Sequence, residues 1–261
     1  MFWGETGHLK KALPLYERAL RLQEASLGER HPNVMISLNN LAILYRNQGD
    51  YAQAEPLYER ALRLREEVLG ERHPDVADSL NGLALFYSDQ GDYAKAEPLY
   101  ERALRLREEV LGERHPRVAT SLHNLAMLYK MQGDYAKAEP LYVRALRLYE
   151  EVLGERHPHV AATLENLAIL YETQGRIDQA LPMYLRALQL REEVLGLHHP
   201  DVALSCNNLG GLHLDQGQLD QAEELLNRAL SIFTQCLSAE HPNIAMVNRS
   251  LLKLYSKRSS S

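Results

Sequence analysis

Eleven histidines, thirty-five Asp and Glu residues and two cysteines are the groups in this 261-residue chain that can ligate metal or move protons. Six of the histidines begin His-Pro pairs at His31, His73, His115, His157, His199 and His241, one every 42 residues. Zinc would need its ligands about 2 Å from a single point. If each 42-residue unit is a helix pair, successive loops stand on the order of 10 Å apart, because packed helices are 8–10 Å between axes. The local pairs His157/His159 and His198/His199 have no thiolate or carboxylate at ligand spacing. Neither a metal nor a cofactor is expected, and the His-Pro imidazole is read as a helix cap.

The acidic residues invite a second chemistry. Glu66-Glu67, Glu108-Glu109 and Glu150-Glu151 are paired carboxylates, but Arg63, Arg65 and their equivalents lie beside them at helical spacing. That pattern reads as an exposed, ion-paired helix face. The chain has no phosphate-cradling glycine loop, no His-Glu-x-x-His and no nucleophile elbow. No enzyme is expected. A net charge of −6 offers no basic footprint for nucleic acid and does not favour an anionic membrane. Two cysteines make no disulfide framework and suggest a reducing, cytoplasmic setting. Cys206 stands where Leu38, Leu80, Leu122 and Leu164 stand in other units, so it is read as a small core residue.

What remains is the repeat that positions these groups. Leu-Gly-Glu-Arg-His-Pro occurs at Leu27–Pro32, Leu69–Pro74, Leu111–Pro116 and Leu153–Pro158, with variants at Leu195–Pro200 and Leu237–Pro242. In the unit from His31 to Arg72, Pro32 suits a first helical turn. Val34, Leu38, Leu41, Ala42 and Tyr45 then mark one face of a helix A. Gly49 can end it in the left-handed conformation and Asp50 can cap the next helix. Ala54, Leu57, Tyr58, Ala61, Leu62, Arg65, Val68 and Leu69 mark that helix B, which carries Pro56 in its second turn. The reading is all-α, one array over 1–261. A partial unit, mainly helix B, covers 1–30, with Trp3 in register with Tyr45. Full units cover 31–72, 73–114, 115–156, 157–198 and 199–240. A polar capping helix covers 241–255, and a disordered tail 256–261.

Leu38-x-x-Leu41-Ala42-x-x-Tyr45 followed by Ala54-x-x-x-Tyr58-x-x-Ala61 resembles the tetratricopeptide repeat (TPR) signature. The longer 42-residue unit, with "LNNLA", "GDYAKAEPLYERAL" and "LGERHPDVA", is similar to the TPR domain of kinesin light chains and of many bacterial proteins. The resemblance implies a right-handed superhelical solenoid whose A helices line a concave, peptide-binding groove.

Subtraction of one unit from another shows where function is expected. Tyr51–Pro74 and Tyr93–Pro116 differ only at Gln53 against Lys95. Variation falls in helix A, at Asp78/Thr120/Ala162, Asn81/His123/Glu165, Leu85/Met127/Ile169, Ser88/Lys130/Glu172 and Asp89/Met131/Thr173. These positions share one helical face. In the resemblance this face lines the groove. Asn39, Asn40, Asn81, Asn124, Asn166, Asn207 and Asn208 form an amide series across it, which Gly82 interrupts. Such amides can bond a peptide backbone, or else their own and neighbouring helices. Ile43, Leu85, Met127 and Ile169 supply apolar spots, Arg46 and Lys130 positive charge, and Glu165 and Glu172 negative charge. The expected partner is a protein or peptide, with a basic or mixed apolar segment. The alternatives are a self-associating solenoid, through an apolar flank of Leu13, Tyr16, Ala19 and Leu20, and a regulatory segment of a larger signalling protein.

Overall fold

The computed structural model describes residues 6–259. The register of Trp3 and the last two serines therefore lie outside the described residues. Twelve α-helices and no strand occur among the described residues: α1 Thr6–Leu27, α2 Pro32–Gln48, α3 Tyr51–Leu69, α4 Pro74–Asp89, α5 Tyr93–Leu111, α6 Pro116–Gln132, α7 Tyr135–Leu153, α8 Pro158–Thr173, α9 Ile177–Leu195, α10 Pro200–Asp215, α11 Leu219–Cys236 and α12 Pro242–Ser259. Even-numbered helices are A-type and odd-numbered ones B-type. The last helix runs to Ser259, beyond Tyr255 and through most of the segment read as a disordered tail. None of these helices is long and apolar enough to cross a membrane.

The punctuation of the repeat has a local cause in each case. His73 holds an extended backbone before Pro74, and its Nδ1 accepts the N–H of Asp75 at 3.2 Å. The same bond recurs at His31, His115, His157, His199 and His241. Each imidazole satisfies one of the amides that a helix start leaves without a partner. Gly49 ends α2 in the left-handed region at φ 79°, and Asp50 then accepts the N–H of Gln53 at 3.3 Å. The B helices run unbroken through Pro56, Pro98, Pro140 and Pro182.

The chain divides into two compact units, the first ending at Leu141 and the second beginning at Tyr142. In the first, Leu38, Val34 and Met35 of α2 pack with Leu20 of α1 and with Ala61 and Leu64 of α3. Alanines at 42, 54, 61, 84, 96 and 103 are fully buried, so A and B helices meet closely. Burial of a leucine such as Leu38 or Leu80 stabilises by about 1.5–3 kcal/mol. Neighbouring pairs are also tied at their surface. Tyr87 donates to Glu55 at 2.8 Å and Tyr129 to Glu97 at 2.9 Å, while Arg102 pairs with Glu66 at 2.7 Å. In the second unit, Arg186 pairs with Glu150 and Arg228 with Glu192 in the same fashion.

Two expectations need correction. Arg65 and Arg107 are not part of an exposed face; they are 8% and 4% exposed. Each reaches out of its B helix to the following A helix, where Arg107 Nη1 donates to the backbone oxygen of Arg117 and to Ser121 Oγ. On α1, Leu20 is buried and Leu13 packs against the core, so the exposed flank is instead Leu15, Tyr16, Ala19 and Leu22.

Candidate functional site

The variable positions of helix A are treated within each compact unit. In the first, Asn40 is exposed, and Asn124, Ile43, Leu85 and Met127 are half-buried. The amides of Asn40 and Asn124 make no hydrogen bond to the described residues. Ile36 at 51% exposure and Met131 at 45% add apolar surface to the same helices. Asn81 behaves differently. Its Nδ2 donates to Ala77 O of its own helix at 3.1 Å, and its Oδ1 is buried with no partner among the described residues. Asn39 Oδ1 is buried in the same way. Gly82 explains the interruption of the amide series: a Cβ there would stand 3.3 Å from both Asn39 Oδ1 and Tyr58 Cε1. Any longer residue would displace one of them.

Arg46 does not project freely. Its Nε lies 3.5 Å from the Asp89 carboxylate, and only 11% of its side chain is exposed. Burial raises the Asp89 pKa, with Arg46 opposing that rise. Lys130 and His123 are half-buried and each has interactions within the protein. The first unit therefore offers open amides and apolar side chains with its fixed charges largely engaged.

In the second unit the predicted site residues converge on one another. Glu165 accepts from Arg191 Nη1 at 2.9 Å and from Arg191 Nη2 at 2.6 Å, with both side chains almost covered. Ser205 Oγ, at 3.3 Å, and Asn208 Nδ2, at 3.1 Å, also donate to Glu165. Asn207 Nδ2 then meets Asn208 Oδ1 at 3.4 Å. Asn166 donates to Ala162 O of its own helix. Glu172 accepts the Tyr184 hydroxyl at 2.6 Å, and its pKa is raised, chiefly by burial. Ile169 is half-buried beside them. The amides here bond neighbouring or own helices, which is the structural option left open for them. Glu165 and Glu172 do not stand as free negative charges awaiting a basic ligand.

Six overlapping matches to the tetratricopeptide repeat model cover 5–67, 36–99, 75–151, 131–193, 159–235 and 201–259. The chain belongs to the tetratricopeptide repeat family. TPR proteins generally mediate protein–protein interaction. This TPR chain is similar to the crystal structure of BtubC (BKLC) from P. vanneervenii, with a TM-score of 0.75 at 30% identity over 87% of this chain and 91% of that one. It is also similar to a putative kinesin light chain with nearly identical TPR-like repeats from Podosopora anserina. There the TM-score is 0.66 at 26% identity over 80% of this chain and 99% of that one. No curated protein matches.

The TPR frame also shows what reading by residue type missed. The buried arginines Arg65 and Arg107 and the half-buried Arg191 each meet a serine fourteen residues on, at Ser79, Ser121 and Ser205. Where the arginine becomes Tyr149 the partner position is Thr163, and where it becomes Phe233 the partner is Val247. That joint change of type was visible in the sequence and marked a contact.

Proposed function

We propose that this TPR chain binds an extended segment of a partner protein along the variable face of its A helices, without catalysing a reaction on it. One observation carries the reading. Among the middle units sequence differences are concentrated on that face, while helix B is nearly constant across α3, α5 and α7, and with its loop is used up in caps, ion pairs and core. Within the first compact unit, Asn40 and Asn124 offer amides with no partner among the described residues, next to Ile36, Ile43, Leu85 and Met127. That combination suits an extended backbone with apolar side chains at intervals. Free thiols at Cys206 and Cys236 fit a reducing compartment such as the cytoplasm. The test is selection of binders from a displayed random-peptide library, followed by titration of one selected peptide against lining and loop variants. Failure to select any peptide that the lining variants weaken would sink the proposal.

A second reading has an observation of its own. Leu15, Tyr16 and Leu22 of α1 are 66%, 41% and 59% exposed, whereas Tyr58 and Leu64, the counterparts of Tyr16 and Leu22 in α3, are 1% and 6% exposed. Such a flank supports self-association. Sedimentation equilibrium across a wide concentration range tests it, and a monomer throughout would exclude it.

A further inference from the structure

The second compact unit contains a cleft of about 180 Å³ at the start of α8. Pro158, Ala161, Ala162, Leu190, Val194 and Leu195 supply its apolar lining; Arg156, His157, His159, Arg191 and Asp201 supply its polar lining. His159 is held in place by stacking on Tyr149, centroid to centroid 4.9 Å.

An earlier repeat of the same chain shows what the cleft lacks. In α4, Asp78 occupies the position of Ala162. Its carboxylate meets Arg107 Nη2 at 2.6 Å and Arg117 Nη1 at 3.4 Å. Arg107 and Arg191 are otherwise held alike, each by a backbone oxygen and a serine of the next A helix. In the later repeat, Asp78 has become Ala162 and Arg117 has become Asp201. Arg191 takes its carboxylate from Glu165 instead. The position of one ion pair has thus lost one member and reversed the sign of the other.

Charge decides the class of ligand. Arg191 is matched by Glu165, and Arg156 by Glu193 at 3.5 Å. Arg191 Nη1 bonds only the backbone oxygen of Asp201; among the described residues the Asp201 carboxylate forms no ion pair with a Lys or Arg, His199 Nδ1 lies 3.8 Å from it, and half of the side chain is exposed. The formal charges on the lining itself, Arg156, Arg191 and Asp201, sum to one positive, and the two carboxylates paired with the arginines from outside the lining bring the local total to one negative. The apolar floor suits an alkyl stem that ends in a cation.

We propose that this cleft receives an arginine side chain of a partner protein, its stem on Leu190, Val194 and Leu195 and its guanidinium on the Asp201 carboxylate. Ala162 lies on the variable face, so this deepens the binding reading, and rests on it, by naming one chemical group the partner presents.

The test needs no partner. The full chain, labelled at alanine methyls, is titrated by NMR with N-acetyl-arginine amide, N-acetyl-glutamate amide and N-acetyl-leucine amide. The arginine derivative should shift the Ala161 and Ala162 methyls saturably. Asp201→Asn should weaken it by about threefold, the scale of an exposed ion pair, and 0.5 M salt should weaken it as well. Ala162→Leu, which fills the cleft, should abolish the shifts. The Asp201→Asn variant keeps the test valid if Ala162→Leu fails to fold, since the Asp201 side chain makes no cap. A glutamate or leucine derivative that binds as well as arginine, an unaffected Asp201→Asn, or no saturable shift would each overturn the proposal. Because the Ala161 and Ala162 methyls report on the cleft, these outcomes are separable from failure of the peptide selection.

Discussion

Arg191 and Glu165 form a two-pronged ion pair between α9 and α8, with side chains 11% and 12% exposed. Glu165 also serves Ser205 and Asn208 of α10, so a single carboxylate joins three helices of the second unit. Its work is cohesion, and the binding reading must rest on other residues.

Removal of one partner from a nearly buried pair leaves the other charge uncompensated, which typically costs 3–5 kcal/mol. Glu165→Ala should therefore lower unfolding free energy by about 3 kcal/mol in urea titration. Arg30→Ala, which breaks a pair whose arginine is 78% exposed, should change it by less than about 1 kcal/mol. Equal effects would contradict the assignment of Glu165 as the joint.

Tyr100 and Tyr184 hold the same place in their repeats but not the same bonds. The Tyr100 hydroxyl is buried without a partner among the described residues, while that of Tyr184 meets Glu172. Tyr184→Phe should destabilise by about 1 kcal/mol through the lost bond, and Tyr100→Phe should be neutral or slightly stabilising. Calorimetric melting of the two variants decides this.

Glu172 gives a signed pH dependence. Its pKa is raised in the fold from the ordinary 4.5, mainly because burial penalises the ionised form. That penalty is present above the raised folded value and fades as pH falls toward 4.5, when the native state takes up the proton first. Relative to Glu172→Gln, the wild type should gain stability as pH is lowered from 7 to about 4.5. A wild type that loses ground over that interval would reverse the burial argument.

Ala84 and Ala126 are fully buried where A and B helices approach closely. Replacing either with leucine overfills the contact and should cost about 1–3 kcal/mol. Unchanged melting in both variants would mean the inward face of helix A is misassigned.

Much of this was legible in the chain itself. Val34, Leu38, Leu41 and Ala42 announce helix A by spacing alone, and Pro32 after His31 announces where it starts, because proline tolerates only the first turn. The fates of Arg63 and Arg65 were not legible from residue type. Both are arginines two places apart on one helix, yet Arg63 is exposed and Arg65 buried; what distinguishes them is the register of Arg65 with Tyr58 and Ala61 and the coupled Ser79. The amide series left two options open for a related reason. Asparagine bonds its own helix as readily as a ligand, and Asn81 and Asn166 do so. Glu165 likewise looked like a groove charge until Arg191, 26 residues away, was found on it.

The central claim is that the variable face of helix A binds and the constant loops do not. Its most direct test is the affinity of one library-selected peptide for three proteins: wild type, Asn40→Ala/Asn124→Ala, and His73→Ala/His115→Ala. Loss of two neutral hydrogen bonds at about 0.5–1.5 kcal/mol each predicts roughly tenfold weaker binding for the asparagine pair, with circular dichroism unchanged. The histidine pair, whose imidazoles only cap helices, should bind within about twofold of wild type once folding is confirmed. Wild-type affinity in the asparagine variant together with lost binding in the folded histidine variant would place recognition on the loop edge and contradict the account.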